Sequence, residues 1–453
     1  MKKLFSLLII AATCCSFAGR VQFVTTVSKK DGIFKVGEEI TFTAKLLEDK
    51  KPAAAKKLGY RLMYDSKAIK CGYVDGTETV TFTVKADKPG WVYLRLFSFG
   101  DNSVDNLHIK RVSNPALYVR ATAMGGIGAI VEPEKLRHSK EEPADFDAFW
   151  AEVKKELASV PVKELERKPA PAEAIAQSKV KINKENYTFS DVKIACAGGM
   201  PVSGYLTIPK NAKKGSLPAL VTYHGAGVRS AKIDGINVNL NIIVLDVNAN
   251  GIENGMPDAF YTKLYQEKYR NKQFGAYPHF NKDNRDAFYF KGMYMRVLRA
   301  LEYVKTLPEW DGKTLIVSGG SQGGAQVLVA CALDHDITLA RCKVPALCDH
   351  FAELSGRIPG WPLLIRSNTK NVKEVEKCAS YYDGVYFAKR IKCPIYLYTG
   401  FIDTTCAPTS VIAAYNNIPA GVKKSLYSIP NAGHSVPEQQ FNKVMAEHIK
   451  NAK

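Results

Sequence analysis

Hydrophobic and polar residues alternate along the first part of the chain with the period of two expected of half-buried strands. Between Arg20 and about Thr122 the alternation runs through Val21 to Val27, Glu39 to Leu46, Thr79 to Val84 and Trp91 to Phe97. Turn-forming residues punctuate these segments: Lys30-Asp31-Gly32, Asp75-Gly76, Lys88-Pro89-Gly90 and Gly100-Asp101-Asn102. Short strands at this spacing, with no helical period between them, predict an all-β sandwich of immunoglobulin-like form over residues 19–122. Cys71 stands alone in this region, so the sandwich lacks a paired-cysteine core. Gly125-Gly126-Ile127-Gly128 reads as the hinge that leaves it.

The pattern then changes. Asp145 is placed to cap a helix running through Phe146, Phe149 and Trp150 to about Leu157. Beyond about Val180, apolar strands alternate with helical segments. Leu217 to Tyr223, Asn241 to Val247, Thr314 to Ser318, Pro394 to Gly400 and Lys424 to Ile429 read as strands. Asp286 to Thr306 has a helical period through Met293, Val297, Leu301 and Val304, and Gln322 to Asp334 is a second helix. Alternation of this kind predicts an α/β domain over residues 123–453: a mainly parallel sheet covered on both faces, with its chemistry on the loops after the strand C-termini.

The first residues obey neither pattern. Lys2 and Lys3 precede an apolar run from Leu4 to Ala12, and Ser16-Phe17-Ala18 offers the small residues of a cleavage site. Residues 1–18 are therefore read as a signal peptide, cut after Ala18. The apolar run is about half of the ~20 residues that span a bilayer, and no later stretch is longer, so no membrane span is expected. Cys14 and Cys15 raise a lipid anchor as the weaker alternative, because Thr13 is larger than the residues usual before a lipidated cysteine. The expected location is periplasmic or extracellular.

Composition narrows the chemistry mainly by exclusion. The net charge of +19 comes from lysines and arginines spread through the chain, without basic runs or basic–aromatic repeats, which argues against nucleic acid as a partner. The cysteines beyond the leader form no CxxC pair and no Cys/His cluster with zinc spacing, so a structural metal is not expected. Cys331, Cys393 and Cys406 lie in apolar segments and read as buried thiols.

Gly319-Gly320-Ser321-Gln322-Gly323-Gly324 satisfies G-x-S-x-G between a predicted strand and a predicted helix. A nucleophile elbow needs that setting, because the serine sits in a strained turn that only small neighbours tolerate. Ser321 is thus the expected nucleophile. A serine hydroxyl needs a base; of eight histidines, His434 stands just past the last strand, in Pro430-Asn431-Ala432-Gly433-His434, where its ring can swing over the elbow. The acid should follow a strand between the two. Asp403 does so, while Asp349 and Asp383 are rivals without so clear a strand before them. An oxyanion needs two backbone N–H donors. Gln322, next to the nucleophile, supplies one; Ala226 supplies the other, on the loop Tyr223-His224-Gly225-Ala226-Gly227, which is similar to an HGGG-type loop. His224 reads as a structural hydrogen-bonder.

These segments together resemble the acetyl xylan esterase / cephalosporin-C deacetylase family of carbohydrate esterases. The resemblance runs from about Phe146 to the C-terminus. It is carried by Asp145 to Trp150, Gly292-Met293-Tyr294 through Arg299-Ala300-Leu301 to Pro308-Glu309-Trp310-Asp311, Gly319 to Gly324, Val344-Pro345 to Cys348-Asp349, Tyr381-Tyr382-Asp383 and Ile402-Asp403-Thr404 to Pro408. It implies an α/β-hydrolase fold and removal of acetyl groups from acetylated sugars such as xylo-oligosaccharides, without metal or organic cofactor. Where the family carries Arg-Gly-Gln after a strand, this chain has Asn248-Ala249-Asn250-Gly251, so that arginine's contribution to holding the site is missing. Where the family has Glu after the histidine, this chain has Ser435. The N-terminal sandwich is an addition to the compact members, whose ring-like assembly implies a homo-oligomer that the extra module would alter. Two other readings stay open: an esterase or peptidase of the same fold acting on another acyl group, and a carbohydrate-binding surface protein with an impaired site.

Overall fold

A computed structural model describes residues 21–100, 123–178, 183–233, 241–271, 275–366, 369–437 and 439–452. The expected signal peptide, the Asp101-Asn102 turn and the boundary at Thr122 lie outside the described residues.

The N-terminal strands are β1 (Val21–Val27), β2 (Ile33–Phe34), β3 (Glu39–Glu48), β4 (Lys51–Pro52), β5 (Lys56–Tyr64), β6 (Lys67–Asp75), β7 (Thr79–Lys85), β8 (Gly90–Gly100) and β9 (Ala123–Val131). In one sheet β3 pairs with β1, β4 and β7; the other has the order β2-β9-β8-β5-β6. The inward positions of the alternating segments meet between the sheets, Phe42, Leu46 and Phe82 from one and Leu62, Leu94 and Ile127 from the other, all buried. The N-terminal region is therefore the β-sandwich that the alternation predicts.

Gly125 to Gly128 is not a hinge. These residues lie within β9, paired antiparallel with Tyr93 to Leu96 of β8. The glycines serve close approach rather than bending: a Cβ on Gly128 would come within 2.1 Å of the Phe401 carbonyl oxygen of the C-terminal region. Strand β9 is thus a member of the second sheet of the sandwich.

A nine-stranded sheet forms the rest, in the order β10-β11-β12-β14-β13-β17-β18-β19-β20. Its strands are β10 (Glu164–Pro169), β11 (Tyr187–Ile194), β12 (Val202–Pro209), β13 (Leu217–Tyr223), β14 (Ile243–Asn248), β17 (Trp310–Gly320), β18 (Leu339–Lys343), β19 (Ile395–Gly400) and β20 (Lys424–Ile429). The small pair β15 (Arg270–Asn271) and β16 (Gly275–Ala276) lies apart from it. From β14 to β20 every pairing is parallel; β10, β11 and β12 add an antiparallel edge. The helices are α1 (Phe146–Ala158), α2 (Ala172–Gln177), α3 (Asp258–Leu264), α4 (Tyr289–Lys305), α5 (Gln322–Leu333), α6 (Val372–Ala379), α7 (Gly384–Ala388), α8 (Pro408–Asn417) and α9 (Gln439–Ala452). This is an α/β-hydrolase fold. Apolar on all sides, α5 is buried from Gln322 to Ala332 and occupies the centre.

Asp145 stands at the N-cap of α1, but its carboxylate does not cap the helix. Its two oxygens accept instead from Tyr381 Oη and from Arg285 Nη1, charged and hydroxyl donors that outcompete a backbone N–H. All eight cysteines among the described residues are free thiols, with Cys331, Cys393 and Cys406 buried as expected. Trp150 anchors α1: its indole donates 3.0 Å to the Tyr381 carbonyl and its ring meets Phe149, Tyr382 and Phe387 edge-on. Trp150→Ala should therefore cost about 3–5 kcal/mol, read as a fall in the denaturant midpoint. Leu354→Ala, at a side chain 70% exposed, should stay within about 0.5 kcal/mol of the parent.

Candidate active site

β17 ends at Gly320 and α5 begins at Gln322, which leaves Ser321 alone in the turn with φ 58° and ψ −124°. Non-glycine residues avoid that conformation, so the surroundings must impose it. They do so through three backbone bonds. Ser321 N donates to Lys343 O at 2.9 Å, while Ser321 O accepts from Ala346 N at 3.0 Å and Ala325 N at 3.1 Å. Gly323 makes the crossing of helix over strand possible, because a Cβ there would lie 2.0 Å from the Tyr223 carbonyl oxygen. The serine is consequently lifted to the C-terminal edge of the sheet above the start of α5.

Two loops from the sheet's far end converge on it. Asp403, three residues past β19, is 1% exposed, and one of its oxygens accepts from Thr405 N at 2.8 Å and Cys406 N at 3.0 Å. The other is bonded to His434 Nδ1 at 2.8 Å. A carboxylate can only accept, so Nδ1 carries the proton and the Nε2 lone pair stays free. The Cys406 sulfur, an Asp403 oxygen and a His434 nitrogen all lie within 4.8 Å of one another, and the Cys406 thiol interacts with the Ser321 side chain. Serine, acid and base are thus brought to one place. Burial pushes the Cys406 thiol well above its usual range, which keeps it protonated beside the serine. Donor atoms this close could in principle hold a metal ion, but both Asp403 oxygens and His434 Nδ1 are already engaged with the protein.

The rival carboxylates serve elsewhere. Asp349 pairs with Arg357 at 2.7 Å and accepts from Ser139, while Asp383 accepts from the backbone N–H groups of Asp349, His350 and Val385. Burial raises Asp383 to about 6 despite those bonds.

The loop after β13 runs along the other side of the serine, where a Cβ on Gly225 would be 3.6 Å from that of Ser321. This loop carries Ala226, the residue after Gly225, while Gln322 follows the serine at the start of α5. His224 braces it as a neutral strut: Nδ1–H donates 2.6 Å to Gly225 O and Nε2 accepts 3.1 Å from Ala249 N. Burial, helped by the Arg229 charge, holds its pKa down at about 3. Tyr277 joins the two halves of the site. Its hydroxyl accepts from Gly227 N at 3.1 Å and donates to Gln322 Oε1 at 2.8 Å, tying the loop to the first residue of α5.

The family described as acetyl xylan esterase (AXE1) matches residues 130–450 of this chain. The acetyl esterase Axe7A of Xylanibacter ruminicola is 32% identical over 318 residues, covering 69% of this chain and 68% of that protein. The chain belongs to the acetyl xylan esterase family. It is accordingly a carboxylic ester hydrolase, and family membership supports deacetylation as its reaction. Two solved acetyl xylan esterases share the fold. The enzyme from Paenibacillus sp. R4 superposes with a TM-score of 0.55 at 23% identity, over 71% of this chain and 98% of that one. The enzyme from Thermoanaerobacterium sp. JW/SL YS485 gives 0.54 at 23% identity, over 70% and 96%.

Against the family pattern, the Asn248-Ala249-Asn250-Gly251 segment is less of a loss than its sequence implies. Asn248 Nδ2 donates to Arg229 O, Asn250 Nδ2 donates to Gly227 O at 2.8 Å, and Tyr289 Oη donates to Asn250 Oδ1 at 2.6 Å. A buried guanidinium is present as well, brought by Arg296 of α4, which donates to Ala249 O from Nε and Nη2. Ser435, the other departure, is exposed. Tyr277 lies in no motif, and only the fold identifies it; Asn250 and Arg296 fall in segments compared with the family, but their contacts are visible only in the fold. Tyr277→Phe should leave the Gly227 N–H and the Gln322 side chain without their shared partner. We expect kcat on an acetyl ester to fall about 3- to 10-fold with the thermal midpoint little changed.

Proposed function

We propose that this protein is an exported serine esterase that removes acetyl groups from acetylated sugars through an acyl-enzyme, with Ser321, Asp403 and His434 as its triad. The observation that carries the reading is the 2.8 Å bond from His434 Nδ1 to a buried, doubly anchored Asp403, which leaves Nε2 free to take a proton beside a strained serine. Similarity to acetyl esterases supplies the acetyl group, and the acetyl xylan esterases among the relatives supply xylan as the sugar class.

In this reading His434 Nε2 accepts the Ser321 hydroxyl proton as Oγ bonds to the acetyl carbonyl carbon. The carbonyl π pair moves onto oxygen, where the N–H groups of Gln322 and Ala226 receive it. Its collapse breaks the bond to the sugar oxygen, which leaves with the proton held on His434. Water then repeats the sequence on the acetyl-serine: His434 takes its proton, acetate departs, and Ser321 recovers its hydrogen. Asp403 keeps the ring in the required tautomer and offsets the charge it acquires. Export is read from the leader-like residues 1–18, and no helix among the described residues is long and apolar enough to cross a membrane.

Acetate release from acetylated xylo-oligosaccharides and from a small acetyl ester, by the parent and by Ser321→Ala, tests the proposal. The parent should act on both, and the variant should lose about 10⁴-fold or more in kcat while remaining folded. Near-normal turnover by the variant would remove Ser321 from the mechanism. Activity confined to the small ester would keep the triad and discard the xylan substrate.

A further inference from the structure

Nucleophile and base stand on differently supported ground. Ser321 follows β17, which has strands on both sides, whereas the acid and base follow β19 and β20, the last two strands of the sheet. β20 is the edge, half-buried along its length, and among the described residues no further strand backs the loops that leave it. Loops at a sheet edge lack a strand on one side, so further support for them comes from outside the sheet.

The N-terminal sandwich supplies it. Trp91 of β8 is fully buried and stacks on Tyr93 with ring centroids 3.8 Å apart; its indole N–H donates 2.7 Å to the carbonyl of Phe401, two residues before Asp403. Gly128 of β9 donates its N–H 2.7 Å to the carbonyl of Pro430, four residues before His434. The two loops are also joined to each other, Phe401 N to Ile429 O and Ile402 N to Ala432 O, both at 3.0 Å. Met63, Trp91, Tyr93 and Ile130 of the sandwich pack with Phe401, Ala407 and Ile412 into one apolar cluster. The close approach requires glycine at position 128, so the contact is built rather than incidental. The family match begins at residue 130, which leaves Trp91 outside it.

We propose that the sandwich is part of the esterase's working structure: Trp91 is a positioning residue that, through Phe401, sets Asp403 against His434, and Gly128 does the same for the His434 loop through Pro430. The inference rests on the triad reading above. A hydrogen bond between an aspartate and a histidine Nδ1–H is sensitive to small shifts, and catalytic geometry loosened by about 1 Å costs up to ~100-fold in rate.

The test compares full-length parent, Trp91→Phe, Gly128→Ala and Ser66→Ala. Trp91→Phe keeps an aromatic ring but deletes the donor, and Gly128→Ala drives a methyl group against Phe401. Ser66, whose hydroxyl donates to Gly356 O, removes a bond between the same two regions that bypasses both loops. Two readouts are taken: kcat and KM on an acetyl ester, and the low-field proton resonance of the His434 Nδ1–H, which needs no substrate. Trp91→Phe and Gly128→Ala should each lower kcat roughly tenfold with KM within about twofold, and should weaken or shift the resonance. Ser66→Ala should match the parent in both. Parent-like kcat and resonance in folded Trp91→Phe and Gly128→Ala would overturn the proposal, as would equal losses in Ser66→Ala. A failed esterase reading shows differently, as a parent that turns over no acetyl ester while its resonance still answers to Trp91.

Discussion

The hydrogen bond between His434 Nδ1 and Asp403 is the interaction on which the rest of the site depends. Serine is too weak an acid to be a nucleophile unaided, and an imidazole accepts its proton only in the tautomer that leaves Nε2 bare. Asp403 selects that tautomer because a carboxylate oxygen can only accept. It can do so reliably because two backbone N–H groups at the start of the following loop hold its other oxygen. Nearly every other feature of the region serves to bring a partner to this pair or to hold the loops that carry it.

On the opposite side the demand is different: donors must be fixed in place before charge develops, since moving them during the reaction would forfeit most of their effect. The chain meets that demand with neutral groups. His224, far too buried to charge near neutral pH, bonds through both ring nitrogens, and Tyr277 spans from the loop to α5. The asparagines of the Asn248 to Gly251 segment fasten the same loop from below. Arg296, on a distant helix, holds that segment in turn through Ala249 O, and a contact of that kind leaves no trace at the position where a motif is sought.

How much was legible in the sequence follows from the range of the interactions involved. Strands β13 and β20 were readable to the residue, because burial on both faces or an apolar pattern between turn residues is a local signal. Ser321, Asp403 and His434, the proposed triad, could be singled out because each lies just after a strand, so position along the chain stands in for position in space. Gly125 to Gly128 misled for the converse reason: clustered glycines signal bending locally, whereas here they permit a strand to lie against Phe401. Asp145 occupies the cap position it was assigned, yet Tyr381 and Arg285, both more than a hundred residues away, claim its carboxylate. The hydroxyl of Tyr277 and the indole N–H of Trp91 likewise find their partners far along the chain, and carried no local signal.

The measurement that bears most directly on this account is covalent labelling with a fluorophosphonate, which reacts only with an activated serine, in the parent and in Asp403→Asn. The account predicts that the label is found on Ser321 and that the labelling rate falls by roughly 10³- to 10⁴-fold in the variant, where an amide in place of the carboxylate stabilises the wrong tautomer. A label on another residue, or an Asp403→Asn protein that reacts as fast as the parent, would contradict it.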